Sequence, residues 1–329
     1  METIVLFDPG IRSLNKGDEI IMRSAKEELM KRNLLKDRYV IHCATHSPVV
    51  TFYQNTHLNS RIRVYDDAKY KWICGSNLMW KNLFKPRPVF NVNLFNCQPY
   101  KGSIFMGIGV GKADMKLNLY TKMLYKKILN KDYIHSARDQ KAVDFLNELG
   151  YEAIDTGCPS MWKFTPEFCK EIPHTKASNV IFTLTDYGRD KEYDQRMINI
   201  LKEHYDHVYF WIQGVFDKEY FDTFENISDI KVISPSLEEY SKILSEGDID
   251  YVGTRLHAGI YAMQHKVRSI IIAIDNRTRY LKESYYIHSI ERNDIDCLGD
   301  LIESQFKTDV RLKQENIEKW FSQFEEYKP

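Results

Sequence analysis

Asp248-Ile249-Asp250-Tyr251-Val252-Gly253-Thr254-Arg255-Leu256-His257-Ala258-Gly259-Ile260-Tyr261-Ala262 is the stretch from which the fold is read. It predicts a short strand, a tight turn at Gly253-Thr254 and the start of a helix. Leu256, Ile260 and Met263 give that helix an apolar face, and Arg268 to Ile274 (RSIIIAI) reads as the next buried strand. Arg255 and His257 stand at the helix start. Backbone N–H groups there lack intrahelical partners, and the helix dipole favours negative charge. A cation and an imidazole in that place make an anion site with a proton donor beside it. The place is also the carboxyl end of a strand, where open α/β sheets bind ligands. Both residues can equally be ordinary helix-start structure, and their spacing alone leaves the two readings open.

Outward from this unit the same alternation recurs. On the N-terminal side, Val180–Leu184 and His207–Ile212 read as strands, with a helix over 190–204 and helical stretches on either side of Lys231–Ser234. Residues 164–178 carry Pro166 and Pro173 with little periodicity, so a domain boundary falls there. Before it, Thr3–Phe7 reads as a first buried strand ended by Asp8-Pro9-Gly10. A helix over 18–32 follows the junction Asn15-Lys16-Gly17-Asp18. Strands are expected at Tyr39–Ala44, Arg61–Tyr65, Tyr70–Cys74, Ser103–Val110 and Tyr133–Ala137, and near Glu152–Ile154. Gly75-Ser76-Asn77 follows one of them, where small residues allow close backbone approach. Lys116–Lys131 reads as a basic helix with a solvated face, contact with an anionic surface being the lesser alternative.

Arg138 precedes a helix over 139–149, with Ser136 and Asp139 at capping-box spacing and Gly150 as its terminator. A cation at such a start opposes the dipole, and residues that break a local rule mark functional places. The tail from Asn293 is charged and helical, with Ile317, Trp320, Phe321 and Phe324 as a docking face.

Strands alternating with helices in both halves predict an α/β fold of two Rossmann-like domains with largely parallel sheets and a cleft between them. The expected domains are residues 1–165 and 178–329, with the C-terminal helix free to pack back toward the N-terminal domain. A chain of 329 residues is longer than one core usually serves. Lys plus Arg and Asp plus Glu balance at 46 each, so no general nucleic-acid footprint is expected. The six cysteines form no C-x-x-C pair and read as buried thiols of a reducing compartment. No apolar run reaches membrane-spanning length, and Met1 leads directly into a strand without a basic n-region. A cytoplasmic location is therefore expected, with peripheral membrane contact left open. The His, Asp and Glu spacings call for no metal.

Four motifs in order carry a family resemblance: Asn15-Lys16-Gly17-Asp18, Cys74-Gly75-Ser76-Asn77-Leu78, Ser136-Ala137-Arg138-Asp139 with the loop Asp155–Pro159, and Thr254-Arg255-Leu256-His257-Ala258. The chain resembles the polysaccharide pyruvyl transferases, whose fold is like that of the two-domain GT-B glycosyltransferases. That resemblance implies transfer of pyruvate from phosphoenolpyruvate, as co-substrate and with no other cofactor, to a sugar acceptor as a ketal. The acceptor is expected to be a saccharide, with linkage to a lipid left open. By the same resemblance Arg138, Arg255 and Leu256 would bind the donor and His257 would be the acid. Asn15, Gly17, Asp18, Gly75, Ser76 and Asn77 would face the acceptor. Arg277 and Arg279 stand where many members have a Lys that completes the donor site. Planar guanidinium groups suit a small molecule bearing both phosphate and carboxylate. Two alternatives share the architecture: a nucleotide-sugar glycosyltransferase holding a diphosphate at the same helix start, and an inactive glycan-binding protein.

Overall fold

The computed structural model describes residues 1–51, 53–54, 60–85, 89–111 and 116–324, with the backbone only at 60, 61, 276 and 277. The chain divides into two compact units. Unit 1 comprises Met1–Ser13, Ile21–Trp162 and Lys313–Pro329, and unit 2 comprises Leu14–Ile20 and Lys163–Leu312. The short stretch Leu14–Ile20 thus clusters with the C-terminal half of the sequence.

Unit 1 contains β1 (Thr3–Asp8), most of α1 (Lys16–Lys31), β2 (Tyr39–Ala44), α2 (Ser60–Asp66), β3 (Tyr70–Cys74), β4 (Ile104–Met106), α3 (Leu119–Ile128), β5 (His135–Ala137), α4 (Gln140–Leu149) and β6 (Ala153–Asp155). A parallel sheet runs β2-β1-β3-β4, and a parallel bridge between Ile108 and Ala137 leads on to the β5-β6 pair. β1 is central, and Ile4 to Phe7 are all buried, as a strand covered on both faces requires.

Unit 2 contains α5 (Pro166–Lys170), β7 (Asn179–Thr183), α6 (Lys191–His204), β8 (His207–Trp211), α7 (Asp217–Phe221), β9 (Lys231–Ile233), α8 (Leu237–Ser245), β10 (Ile249–Gly253), α9 (Leu256–Gln264), β11 (Ser269–Ala273), α10 (Asn276–Tyr285), β12 (Ser289–Glu291) and α11 (Leu298–Glu303). Its six strands lie in the order β12-β11-β10-β7-β8-β9, all parallel. The order reverses between β7 and β10, so the carboxyl ends of these strands are the ligand-binding edge expected of a doubly wound sheet.

The last helix, α12 (Gln314–Ser322), returns to unit 1. Its Trp320 and Phe321 pack on Trp162 at ring-centroid distances of 5.8 and 5.2 Å, and Gln323 exchanges hydrogen bonds with the Ile134 backbone.

Three local readings need correction. Arg61–Tyr65 is helix α2. Ile62 is buried and Tyr65 packs on the core while Val64 is 41% exposed, so the apolar spacing is three, and the apparent alternation misleads. The strand foreseen over Ser103–Val110 is confined to Ile104–Met106, because Gly107 turns to φ +66°. Of the six thiols, Cys297 is exposed, and all six are free.

One buried group makes unit 1 sensitive to acid. His135 on β5 accepts a hydrogen bond at Nδ1 from the Phe105 N–H (3.0 Å), which leaves Nε2 to donate to the Asn130 carbonyl (2.8 Å). This network fits only the neutral ring, and burial pulls the imidazole from 6.5 down to about 4. The unfolded chain therefore binds a proton that the folded one refuses. Stability is expected to fall by on the order of 3 kcal/mol as pH drops from about 6.5 toward about 4. Melting temperatures of the parent and of His135→Gln across that range check this. The variant should show the shallower slope, and equal slopes would assign the acid response to another group.

Candidate functional site

In unit 2 the site is built where β10 ends. Gly253 closes the strand, Arg255 takes the N-cap position of α9 with extended backbone, and its side chain makes no cap hydrogen bond. Arg255 therefore supplies no side-chain acceptor to the first turn of α9. The junction is held from beside and below. The Tyr251 hydroxyl donates to the Arg255 carbonyl (2.8 Å) and meets the Thr183 hydroxyl (2.6 Å), while Thr185 and Thr254 pair at 2.9 Å.

Arg255 is almost wholly buried, and two carboxylates enclose its guanidinium. Nε donates to the Leu184 carbonyl (2.9 Å) and to Asp217 Oδ2 (3.1 Å), and Nη2 donates to Asp186 (2.6 Å) and to Asp217 Oδ1. The Tyr187 ring lies 5.0 Å from the guanidinium carbon. Nη1 has no hydrogen-bond partner among the described residues. Burial would pull the guanidinium pKa down, but the charge and hydrogen bonds of Asp217 outweigh it and raise it. Burial pushes the Asp217 carboxyl up, with Arg255 pulling against it.

From Tyr251 to Gln264 every residue is buried except His257, which is half-buried on the first turn of α9. The segment that adjoins it comes from the other end of the sequence. Asn15 forms an antiparallel bridge with Gly214, Lys16 N–H donates to the Gln213 carbonyl (2.9 Å), and Val215 N–H donates to the Leu14 carbonyl (3.0 Å). Asn15 Oδ1 accepts from the Gly17 N–H (2.9 Å) and from Gln213 Nε2 (2.7 Å), which fixes the amide's orientation. Gly17 is packed so closely that a Cβ there would lie 3.4 Å from the His257 Cβ and 3.1 Å from both Asn15 Oδ1 and Gln213 Nε2. The start of α1 and the start of α9 therefore share one place. Asp18 is half-buried in the first turn of α1, with its N–H bonded to the Asn15 carbonyl (3.2 Å). The Leu256 side chain is buried.

Three residues of this cluster went unnoticed in the sequence: Asp186, Gln213 and Asp217. Gln213 is buried, and its Oε1 has no hydrogen-bond partner among the described residues. The available signal was position, since Gln213-Gly214 directly follows the strand His207–Ile212 at its carboxyl end.

Unit 1 carries a second cluster. Arg138 lies just before α4 and donates from Nη2 to Asn77 Oδ1 (2.6 Å). Its N–H bonds to the Ile108 carbonyl (2.8 Å), and Gly75 N–H bonds to the Met106 carbonyl (2.8 Å). Ser76, half-buried, accepts from the Gly109 N–H at its carbonyl (2.9 Å). A Cβ on Gly109 would fall 2.5 Å from Arg138 Nη2 and 2.9 Å from Asn77 Oδ1, so glycine leaves room for the Arg–Asn pair. Asp139 alone is the N-cap of α4, accepting from Ala142 N–H, and Gly150 closes the helix in the left-handed region. Ser136 does not cap: its hydroxyl accepts from Gly107 N–H (2.7 Å) and pairs with Thr156 (2.6 Å).

The structure thus brings Asn15, Gly17, Arg255 and His257 together in unit 2, and Gly75, Ser76, Asn77 and Arg138 together in unit 1. Arg279 is engaged elsewhere, in an exposed pair with Glu291 (Nη2 to Oε2, 2.8 Å). The side chain of Arg277 lies outside the described residues. Among the described residues, no group of three His, Cys, Asp or Glu could hold a metal ion, and no helix is long and apolar enough to cross a membrane.

Comparison with known proteins adds two kinds of finding. A family model for polysaccharide pyruvyl transferase matches residues 15–276. Among solved structures, the chain is similar to the UDP-GlcNAc 2-epimerase of Methanocaldococcus jannaschii, with 13% identity, a TM-score of 0.54, and coverage of 97% of this chain and 98% of that one. It is also similar to the UDP-GlcNAc 2-epimerase of Neisseria meningitidis bound to UDP-GlcNAc, with 10% identity, a TM-score of 0.50, and coverage of 97% and 94%. At such identities the likeness is one of fold, and the fold is GT-B-like, with parallel sheets in both units. A search of curated proteins found no match.

Proposed function

Because the chain belongs to the polysaccharide pyruvyl transferase family, we propose that it transfers pyruvate from phosphoenolpyruvate to two hydroxyls of a sugar, as a cyclic ketal, during assembly of a cell-surface or extracellular polysaccharide. The observation that carries this reading is His257. It is the half-buried exception in a buried strand–helix unit, set on a helix start whose N-cap residue Arg255 makes no cap hydrogen bond, next to Gly17.

The chemistry asks for one proton donor and several anion-binding groups. His257 protonates the methylene carbon of the donor, which becomes the methyl group, and C2 turns electrophilic. A sugar hydroxyl oxygen bonds to C2, the bond from C2 to the phosphate oxygen breaks, and inorganic phosphate leaves. A second hydroxyl closes the ketal on C2. Of the two hydroxyl protons released, one restores His257 and the other leaves with phosphate or solvent. The start of α9 and Arg255 Nη1 hold donor oxygens. Asp186 and Asp217 fix Arg255 so that only its Nη1 edge is offered. Gln213 Oε1, buried and without a protein partner among the described residues, would accept a hydrogen bond from an acceptor hydroxyl that reaches it.

Incubation with phosphoenolpyruvate and a panel of nucleotide-linked and lipid-linked sugars tests the reading. Release of phosphate, with a mass gain on one sugar corresponding to a pyruvate ketal, is expected. Sugar transfer from a nucleotide donor, with phosphoenolpyruvate untouched, would overturn it in favour of a glycosyltransferase.

A further inference from the structure

We propose that unit 1 docks on the surface of an anionic lipid bilayer through the outer face of α3 and the adjoining segment Lys81–Lys85. The first observation is charge. Residues 68–131 hold twelve Lys and Arg against a single acid, Asp114, in a chain whose totals balance at 46 each. Such one-sided charge on a neutral protein gives one unit a field of its own.

The second observation is how α3 divides its faces. Thr121, Leu124, Tyr125 and Ile128 are buried against unit 1. At 100° per residue, Leu119, Lys122, Met123, Lys126 and Lys127 fall on the opposite arc. Leu119 is 86% exposed and Met123 50%. The outer face is therefore two large apolar side chains set among lysines, with Lys116 exposed just before the helix. Alongside runs the segment 81–85. Leu83 N–H bonds to the Thr121 hydroxyl (2.8 Å), and Asn118 N–H bonds to the Lys81 carbonyl (3.3 Å). Phe84, 74% exposed, meets the Tyr120 ring edge-on at 5.5 Å and adds a third apolar group, with exposed Lys85 next to it. Glu148 on α4, 3.8 Å from Lys81, offsets that lysine.

A soluble polyanion would use the lysines and gain nothing from Leu119, Met123 and Phe84. A bilayer with anionic headgroups uses both, since apolar tips enter the headgroup boundary while lysine stems lie along it with their charges outward. With ten residues, α3 gives a reversible contact that depends on lipid charge. The docking rests on these surface residues and not on the proposed pyruvyl transfer. Only its consequence, that unit 1 would meet a lipid-linked acceptor at the bilayer, rests on that reading.

Sedimentation of the full chain with vesicles tests the docking without any turnover. Binding is expected on mixed phosphatidylglycerol–phosphatidylcholine vesicles and should be at least about tenfold weaker on phosphatidylcholine alone. The pair Leu119→Ser with Met123→Ser, and separately Lys126→Glu with Lys127→Glu, should each weaken binding by about tenfold. Both pairs are exposed, so each variant should stay folded at the assay temperature, with a modest fall in melting temperature where Glu replaces Lys in the last turn of α3. No binding to the mixed vesicles would overturn the proposal, as would equal binding to both vesicle types. So would full sensitivity to the lysine pair with none to the apolar pair, which would mark a polyanion groove instead.

Discussion

Replacing His257 by Gln is expected to reduce pyruvate transfer by roughly 10²–10⁴-fold while leaving the fold intact. Gln donates a hydrogen bond from a terminus of similar reach, so whatever hydrogen bonding the side chain gives the donor is largely kept. It supplies no proton, and the methylene carbon must be protonated before C2 can be attacked. Phosphoenolpyruvate affinity, measured by calorimetry, should therefore change little while turnover collapses. The position makes the separation clean, because His257 is half-buried among neighbours that are all buried and that carry the packing of α9. A structural histidine would give the opposite pattern: a lower melting temperature with turnover per folded molecule preserved. Turnover at the parent rate would move the acid to another residue.

The strand–helix unit around Arg255 was legible because its signals are local. An apolar strand, a small residue at its end and a helix with period 3.6 can be read within fifteen residues. The docking face of α12 was legible for the same reason, and Ile317, Trp320, Phe321 and Phe324 are all buried. What surrounds Arg255 was not legible. Asp186 and Asp217 lie 69 and 38 residues from it, and only the order of β7, β8 and β10 in the sheet brings their loops together. Sequence reading saw a cation at a helix start and gave it an anionic ligand. The structure shows that the protein supplies two carboxylates of its own and leaves one edge of the guanidinium. Likewise Asn15 and Gly17 precede a helix near the chain's beginning, yet they cluster with unit 2 through backbone bonds to residues 213–215. No local pattern encodes such a pairing. Arg61–Tyr65 failed for a different reason: five residues fit periods of two and of three almost equally, and packing of Ile62 and Tyr65 decided for the helix.

Removing the partner of the buried cation should cost substantial stability. Asp217 has no exposed surface and makes four contacts: two with Arg255, one with the Gly214 N–H (2.7 Å) and one with the Asp186 N–H (3.2 Å). Asp217→Ala would leave the guanidinium buried with Asp186 as its remaining carboxylate, and would orphan two backbone donors. Breaking a buried pair from one side costs about 3–5 kcal/mol, because the surviving charge keeps its desolvation penalty. Urea unfolding of the variant should show a loss of that order. The double change Asp217→Ala with Arg255→Met removes both charges and fills part of the space, so it should be less destabilised than the single variant. A single variant within about 1 kcal/mol of the parent would place the pair among the ion pairs that contribute little. The pair also bears on function. Arg255 is the N-cap residue of α9, and His257 follows two positions later on its first turn. The double variant, though folded, should transfer pyruvate poorly, because the helix start that carries His257 has lost the clamp that sets its place.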